Sequence, residues 1–105
     1  MDLSQQDWKK QLDRDQNAVI LDVRTSDECS DGIIPQAIFN DIYKGQLFID
    51  KLNELDISKN YYVYCKAGAR SAQACVIMNQ MGFENTYNLV GGFMKWIGDV
   101  AFMED

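Results

Sequence analysis

Residues 61–82 decide the fold, and they read YYVYC at 61–65, KAGAR at 66–70 and SAQACVIMNQMG at 71–82. The first piece is aromatic and β-branched, which is typical of a short buried strand. The third piece repeats apolar residues at helical spacing and ends at Gly82, a common helix stop. The sequence therefore predicts a strand, a short loop and a helix in direct succession.

The loop of this unit carries a candidate nucleophile. Cys65 lies at its entrance, Gly68 in its middle and Arg70 at its exit. A chain that runs from a strand into a helix N-terminus directs several backbone N–H groups, and the positive end of the helix dipole, into one small space. Such a site, with Lys66 and Arg70 as nearby cations, lowers a thiol pKa below its usual value of roughly 8.5. We interpret the loop as a reactive-thiol site.

The absence of histidine restricts how this thiol could be activated. No histidine occurs among the 105 residues, which excludes a Cys–His pair, a Ser–His pair and a His-based metal site. The three cysteines fit neither a disulfide framework nor a paired zinc motif. We expect no metal and no cofactor. Cys75 is expected in the core and Cys29 at the surface, where a redox role for Cys29 as a resolving thiol stays open.

Length and charge limit the class of protein. A chain of 105 residues suits a single domain over 1–105, with a core over about 18–98 and an N-terminal helix over 4–15. Sixteen acidic against ten basic residues give a net charge of −6, which argues against nucleic acid and membrane surfaces as partners. No signal-like run or stretch of roughly 18–20 apolar residues occurs. We expect a cytoplasmic monomer.

The remaining pattern predicts an α/β fold. A nearly unbroken apolar run at 18–23 predicts a buried parallel strand, and 37–40 and 86–90 predict two short ones. Helical patterns separate them: one over 4–15, a short one capped by Ser26, one over 45–55, one over 71–82, and a last one carrying Phe93, Trp96 and Ile97, followed by a packed tail at 100–103. This alternation indicates a mostly parallel sheet of about five short strands with helices on both faces.

Four motifs, in this order, resemble those of the rhodanese-like family. They are LDVR at 21–24 with Glu28 downstream, GIIPQA at 32–37, CKAGAR at 65–70, and GG at 91–92 with Trp96. The resemblance spans residues from about 18 to 98 and implies the rhodanese-like fold. Ile33 and Gln36 differ from the family's usual His and Gly, and this difference concerns the turn before the second strand rather than the loop.

The resemblance implies a sulfurtransferase that works through a persulfide on Cys65. A small sulfur-containing anion such as thiosulfate would donate the sulfur, and a thiol, a protein or cyanide would accept it. Lys66 and Arg70 would bind the oxyanion end of the donor. The persulfide would be stabilised by the loop residues Lys66, Ala67, Gly68, Ala69, Arg70 and Ser71.

Two other functions stay open at this point. The chain could be a low-turnover sulfur-delivery module that docks to a partner enzyme. It could also be a cysteine-dependent phosphatase or arsenate reductase, but tyrosine phosphatases place five residues between Cys and Arg. Here four residues separate Cys65 from Arg70, which predicts a loop too narrow for phosphate.

Two interpretations stay open for Asp22 and Arg24. They could line the site, because the resemblance brings their strand end near the Cys65 loop, or they could form structural ion pairs. If they are structural, we expect Arg24 to pair with Glu28. Phe93 and Trp96 are expected to pack in the core or at the rim of the site.

Overall fold

The computed structural model describes residues 1–103. The strands are β1 (Asp2–Leu3), β2 (Ala18–Asp22), β3 (Ile38–Phe39), β4 (Asn60–Tyr64) and β5 (Asn85–Leu89). The α-helices are α1 (Gln5–Arg14), α2 (Ser26–Cys29), α3 (Gln46–Leu52) and α4 (Ala69–Gln80), with short 3₁₀ helices at Ile42–Lys44 and Phe93–Lys95.

The five strands form one parallel sheet in the order β1-β5-β4-β2-β3. This confirms the predicted fold class, although β1, only two residues long, was not predicted. Strand β4 lies at the centre, and its last residue, Tyr64, pairs with Asp22 at the end of β2. The chain segments that leave these two strands therefore start side by side at one edge of the sheet.

Strand β4 is anchored on both faces of the sheet. Tyr61 and Val63 pack into a core cluster with Phe48 of α3 and Met78 of α4. Tyr62 and Tyr64 point to the other face and pack around Trp8 of α1, which is fully buried. Burial of such a side chain stabilises the fold by roughly 1.5–3 kcal/mol. The strand that precedes Cys65 is therefore held firmly on two sides.

Helix α4 begins at Ala69, two residues earlier than predicted, and it ends close to the predicted stop. Its N-cap is Gly68, which has a φ of 111°, in the left-handed region that glycine adopts without strain. This residue turns the chain directly from the loop into the helix, so the loop is shorter than the sequence suggested. At the other end Gly82 also has a positive φ, of 103°.

Other boundaries differ because the backbone is capped by side chains that the sequence pattern did not identify. Thr25, not Ser26, caps α2 through a capping box with Glu28. The predicted last helix is only the 3₁₀ turn Phe93–Lys95, because Gln5 of α1 binds the Lys95 carbonyl and the Ile97 N–H. The predicted 45–55 helix is the shorter α3 (Gln46–Leu52), and a 3₁₀ turn at Ile42–Lys44 precedes it.

The segment after residue 98 only partly matches the prediction of a packed tail. Ala101 pairs with Ile33 in an antiparallel bridge. Val100, Phe102 and Met103 are exposed. Across residues 1–103, the helices are too short or too polar to cross a bilayer.

Candidate active site

Cys65 follows β4 directly, and its sulfur faces hydrogen-bond donors. The Gly68 backbone N–H lies 3.1 Å from Sγ, and the Ser71 hydroxyl oxygen lies 3.3 Å from it. Both donors come from the loop and the first turn of α4, as the strand–loop–helix prediction requires. The side chain of Cys65 is only 1% exposed. The sulfur therefore lies beneath the loop rather than on its surface.

The donors outweigh the effect of burial on this thiol. Burial raises the pKa of Cys65, because a thiolate is poorly solvated in the interior. The Ser71 hydroxyl and the backbone N–H groups of Ser71, Gly68 and Ala67 lower it by hydrogen bonding to the charged form. The net pKa lies below the ordinary value. The loop is thus built to hold a negatively charged sulfur.

The 3₁₀ turn Phe93–Lys95 orients the peptide units of the loop. Phe93 N–H donates to the Cys65 carbonyl at 2.8 Å, and Met94 N–H donates to the Lys66 carbonyl at 2.9 Å. The loop carbonyls therefore point toward this turn, away from the sulfur. Gly92 permits the close approach, since a Cβ there would lie 2.4 Å from the Lys66 carbonyl oxygen.

Arg70 is held by an ion pair that the sequence did not predict. Its guanidinium donates to both carboxylate oxygens of Glu28, at 2.7 and 2.8 Å. The same carboxylate accepts hydrogen bonds from the Thr25 N–H and hydroxyl. The contact with Arg70 is the main reason why the pKa of Glu28 falls to about 2. Arg70 also lies over the Tyr43 ring, 5.3 Å from its centre.

Asp22 and Arg24 form a buried ion pair with each other, and the predicted Arg24–Glu28 pair is wrong. Their side chains meet at 2.7 Å, and Arg24 also donates to the Gly32 carbonyl at 2.8 Å. The Arg24 guanidinium stacks over the Phe93 ring at 4.3 Å. The pair thus packs against the turn that orients the loop. Direct participation of Asp22 or Arg24 in the chemistry stays a prediction.

The other two cysteines differ in how well the sequence predicted them. Cys75 is buried as expected. Cys29 was expected at the surface, but it is fully buried, because α2 turns it toward β2 while Glu28 faces Arg70. Its thiol donates to Asp22 at 3.3 Å. Burial, followed by the Asp22 charge, raises the pKa of Cys29 to about 12.

Lys66, Ala67 and Ala69 are exposed on the loop, and Ser71 is fully buried beneath it. Sequence reasoning missed one residue behind this site, Asn88 of β5, whose side chain contacts Ser71. An asparagine within the predicted strand at 86–90 is the signal that could have found it.

A cavity lies apart from the loop, and the described residues contain no cluster that could bind a metal ion. A cavity of about 570 Å³ opens between α1 and residues 34–36, and no residue of the loop lines it. In residues 1–103, His, Cys, Asp and Glu side chains nowhere gather in threes that could hold a metal ion.

Comparison with known proteins places this geometry in a family. The profile of the rhodanese-like domain matches residues 4–99. A putative sulfurtransferase, YtwF, from Bacillus subtilis is 35% identical over 91 residues, which cover 87% of this chain and 84% of that protein. A sulfurtransferase from Allochromatium vinosum is 32% identical over 81 residues, with 77% and 73% covered. The crystal structure of a rhodanese-like domain protein from Staphylococcus aureus has a TM-score of 0.83 at 28% identity and covers 98% of each chain.

Proposed function

Since the chain belongs to the rhodanese-like domain family, we propose that it is a sulfurtransferase that carries a sulfane sulfur as a persulfide on Cys65. One observation carries the proposal: the Cys65 sulfur faces the Gly68 N–H and the Ser71 hydroxyl, at 3.1 and 3.3 Å. Both of these close polar groups are hydrogen-bond donors, which favour the thiolate. The thiolate is the form of Cys65 that attacks the sulfur donor and the form that leaves in the second half-reaction.

In the first half-reaction the Cys65 thiolate attacks the outer sulfur of a donor such as thiosulfate. A new S–S bond forms to Cys65, the S–S bond of thiosulfate breaks, and its electron pair leaves with sulfite. The product is a Cys65 persulfide whose outer sulfur carries the negative charge. The inward N–H groups of the loop stabilise this charge, and losing one such donor typically costs about a hundredfold or more in rate.

In the second half-reaction a thiolate or cyanide attacks the outer sulfur of the persulfide. The S–S bond to Cys65 breaks, and Cys65 leaves as a thiolate that Gly68 and Ser71 again stabilise. The enzyme returns to its starting state without any cofactor, with the ping-pong kinetics of covalent catalysis.

Access to the sulfur suits a small donor. The sulfur is buried, but its loop neighbours Ala67 and Ala69 are small and exposed. Exposed Lys66 attracts the oxyanion end of the donor as a point charge. Arg70 uses two of its five N–H groups on Glu28 and presents the others to the donor.

Intact-mass measurement after incubation with thiosulfate tests the proposal. We expect the protein to gain the mass of one sulfur atom, and cyanide to remove it as thiocyanate. The adduct should be absent in Cys65→Ser and retained in Cys75→Ser, a matched control at another buried cysteine. An adduct that persists in Cys65→Ser, or no adduct in the native protein, would reject the assignment.

The same assay separates the alternatives. A persulfide that forms on Cys65 but hardly turns over with cyanide would favour a sulfur-delivery module. Hydrolysis of para-nitrophenyl phosphate would favour a phosphatase, and we expect none.

A further inference from the structure

The Ser71 hydroxyl lies near more hydrogen-bond acceptors than its single proton can bind. Its oxygen lies 3.3 Å from the Cys65 sulfur, 3.2 Å from the Gly68 carbonyl oxygen, and closest of all to Oδ1 of Asn88. A hydroxyl carries one proton and can donate it to one acceptor at a time. The choice between these acceptors decides whether the sulfur receives a side-chain donor.

The orientation of the Asn88 amide is determined by its other partners. Its Nδ2 donates to the Gly68 carbonyl at 3.2 Å and to the Asp2 carboxylate at 3.0 Å. Both partners accept hydrogen bonds only, so the amide oxygen must be the atom that faces Ser71. Asn88 is 3% exposed and Ser71 is fully buried, which leaves the hydroxyl little access to solvent.

We propose that Asn88 is a positioning residue that holds the Ser71 hydroxyl while the Cys65 sulfur is neutral and releases it to that sulfur when the sulfur is charged. This rests on the proposed function of Cys65. The neutral thiol needs no donor, so the hydroxyl donates to the amide oxygen. The thiolate is the stronger acceptor, because hydrogen bonds to charged groups are roughly twice as strong as neutral ones.

The Ser71 hydroxyl changes its hydrogen-bond acceptor in both half-reactions. Once the persulfide forms, the inner sulfur is neutral, the charge lies on the outer sulfur, and the hydroxyl turns from Cys65 to Asn88. When the acceptor removes the outer sulfur, Cys65 becomes a thiolate and the hydroxyl turns back to it. No proton is transferred and no heavy atom needs to move, since all three acceptors surround the same oxygen.

Several charged groups also act on this site. The Asp2 carboxylate and the Met1 amino group approach from β1, Arg70 from α4 and Lys66 from the loop. The test therefore compares variants that leave these four groups unchanged.

The experiment measures the pKa of Cys65 from the pH dependence of its alkylation by iodoacetamide, with the modified peptide identified by mass. We expect Ser71→Ala to raise this pKa by about one unit, because the thiolate loses a donor. Asn88→Ala should lower it, since the hydroxyl then has no competing acceptor on β5. Asn88→Asp should raise it, because a carboxylate holds the hydroxyl proton more strongly and repels the thiolate.

Opposite signs for Ala and Asp at residue 88 distinguish positioning from a merely structural role, which would move the pKa in one direction. In the Ser71→Ala background, Asn88→Ala should have no further effect. Asn85→Asp is the matched control on the same strand and should change the pKa little, since residue 85 faces the opposite side of the sheet from residue 88. A pKa effect of Asn88→Ala that persists without Ser71, or the same sign for both replacements, overturns the inference.

Failure of this inference can be distinguished from failure of the proposed function. Alkylation requires no sulfur donor, so the coupling between residues 71 and 88 can be present in a protein that forms no persulfide. Conversely, a persulfide that forms normally alongside uncoupled pKa effects would reject the role of Asn88 alone. Thermal melts identify any variant that does not fold. If Asn88→Asp does not fold, Asn88→Ala still decides, because a raised pKa, or an effect that persists in the Ser71→Ala background, overturns the inference.

Discussion

Cys65 and Cys29 occupy comparable places but have opposite polar surroundings. Each lies at or just beyond the edge where β4 and β2 end, and neither side chain is more than 1% exposed. The Cys65 sulfur faces two donors, and its pKa is lowered against the effect of burial. The Cys29 thiol faces the Asp22 carboxylate, and its pKa rises to about 12. Since burial raises the pKa of both thiols, the polar groups nearest to each sulfur account for the opposite directions of the net shifts.

Helix polarity strengthens the contrast. Cys65 precedes the N-terminus of α4, where backbone N–H groups lack helical partners, whereas Cys29 is the last residue of α2, where carbonyls lack them. Donors accumulate at the first position and acceptors at the second.

We expect the largest difference between Cys65 and Cys29 in sulfur transfer by single-cysteine variants. We expect Cys65→Ser to lose essentially all thiosulfate:cyanide turnover, because burial raises the pKa of both other thiols, Cys29 and Cys75, above the ordinary value. Cys29→Ser should keep most of it. Steady-state thiocyanate release measures both, and comparable losses in the two variants would contradict the comparison.

Alkylation of the native protein at pH 7 should give the next largest difference. At pH 7 a pKa of about 12 leaves roughly one Cys29 thiol in 10⁵ ionised, while the pKa of Cys65 is lowered by its hydrogen-bond donors, so a larger fraction of it is ionised. We therefore expect Cys65 to react with iodoacetamide much faster than Cys29, by at least about a hundredfold. Peptide mass spectrometry follows each site, and all three cysteines should react in urea. Equal labelling in the folded protein would refute the role assigned to hydrogen-bond partners.

Displacing the loop backbone should reduce the reactivity of Cys65 and leave the surroundings of Cys29 unchanged. In Gly92→Ala the new Cβ would lie 2.4 Å from the Lys66 carbonyl oxygen, so the loop must shift and its N–H groups leave the sulfur. We expect turnover to fall by about tenfold to a hundredfold. Gly45→Ala is the matched control: its φ of 57° resembles the 60° of Gly92, but its Cβ meets nothing within 4 Å. If both variants lose the same activity, strain at positive φ is the cause rather than the loop contact.

The smallest effect concerns Glu28, which lies beside Cys29 in sequence and binds Arg70 beside the Cys65 loop. Its folded pKa of about 2 is below the ordinary carboxyl value, so its contribution to stability is present above about pH 5 and is lost as the pH falls toward 2. Glu28→Gln should remove roughly 1–2 kcal/mol of this pH-dependent stability, allowing for solvent screening. Urea unfolding from about pH 2 to about pH 6 measures this loss of stability, because that range covers both the folded pKa of Glu28 and the ordinary carboxyl value.

Exposed Glu54→Gln serves as the control for that titration. An identical pH profile for Glu28→Gln and the native protein would show that the Arg70 contact contributes nothing to folding.

The sequence predicted the strand–loop–helix unit because its patterns are local. The aromatic and β-branched run of β4, which is buried from Tyr61 to Tyr64, and the helical spacing of α4 both depend on near neighbours in the chain. The position of Cys65 at the end of a central strand follows from them. Each of the four motifs is also local, and their order along the chain predicted the family.

Long-range contacts explain what the sequence did not predict. The partner of Glu28 is Arg70, 42 residues away, and a reader of the sequence meets Arg24 first. Cys29 lies in a polar stretch, yet the direction of α2 buries it against Asp22. Asn88 meets Ser71 only because β5 pairs with β4.

The hydrogen bonds from Phe93 and Met94 to the loop carbonyls have a consequence for how this domain can diversify. The sulfur's surroundings come from peptide planes and from one buried hydroxyl, none of which depends on the outward side chains at positions 66, 67 and 69. Those three positions can therefore vary in sequence while the hydrogen-bond donors that face the Cys65 sulfur stay the same.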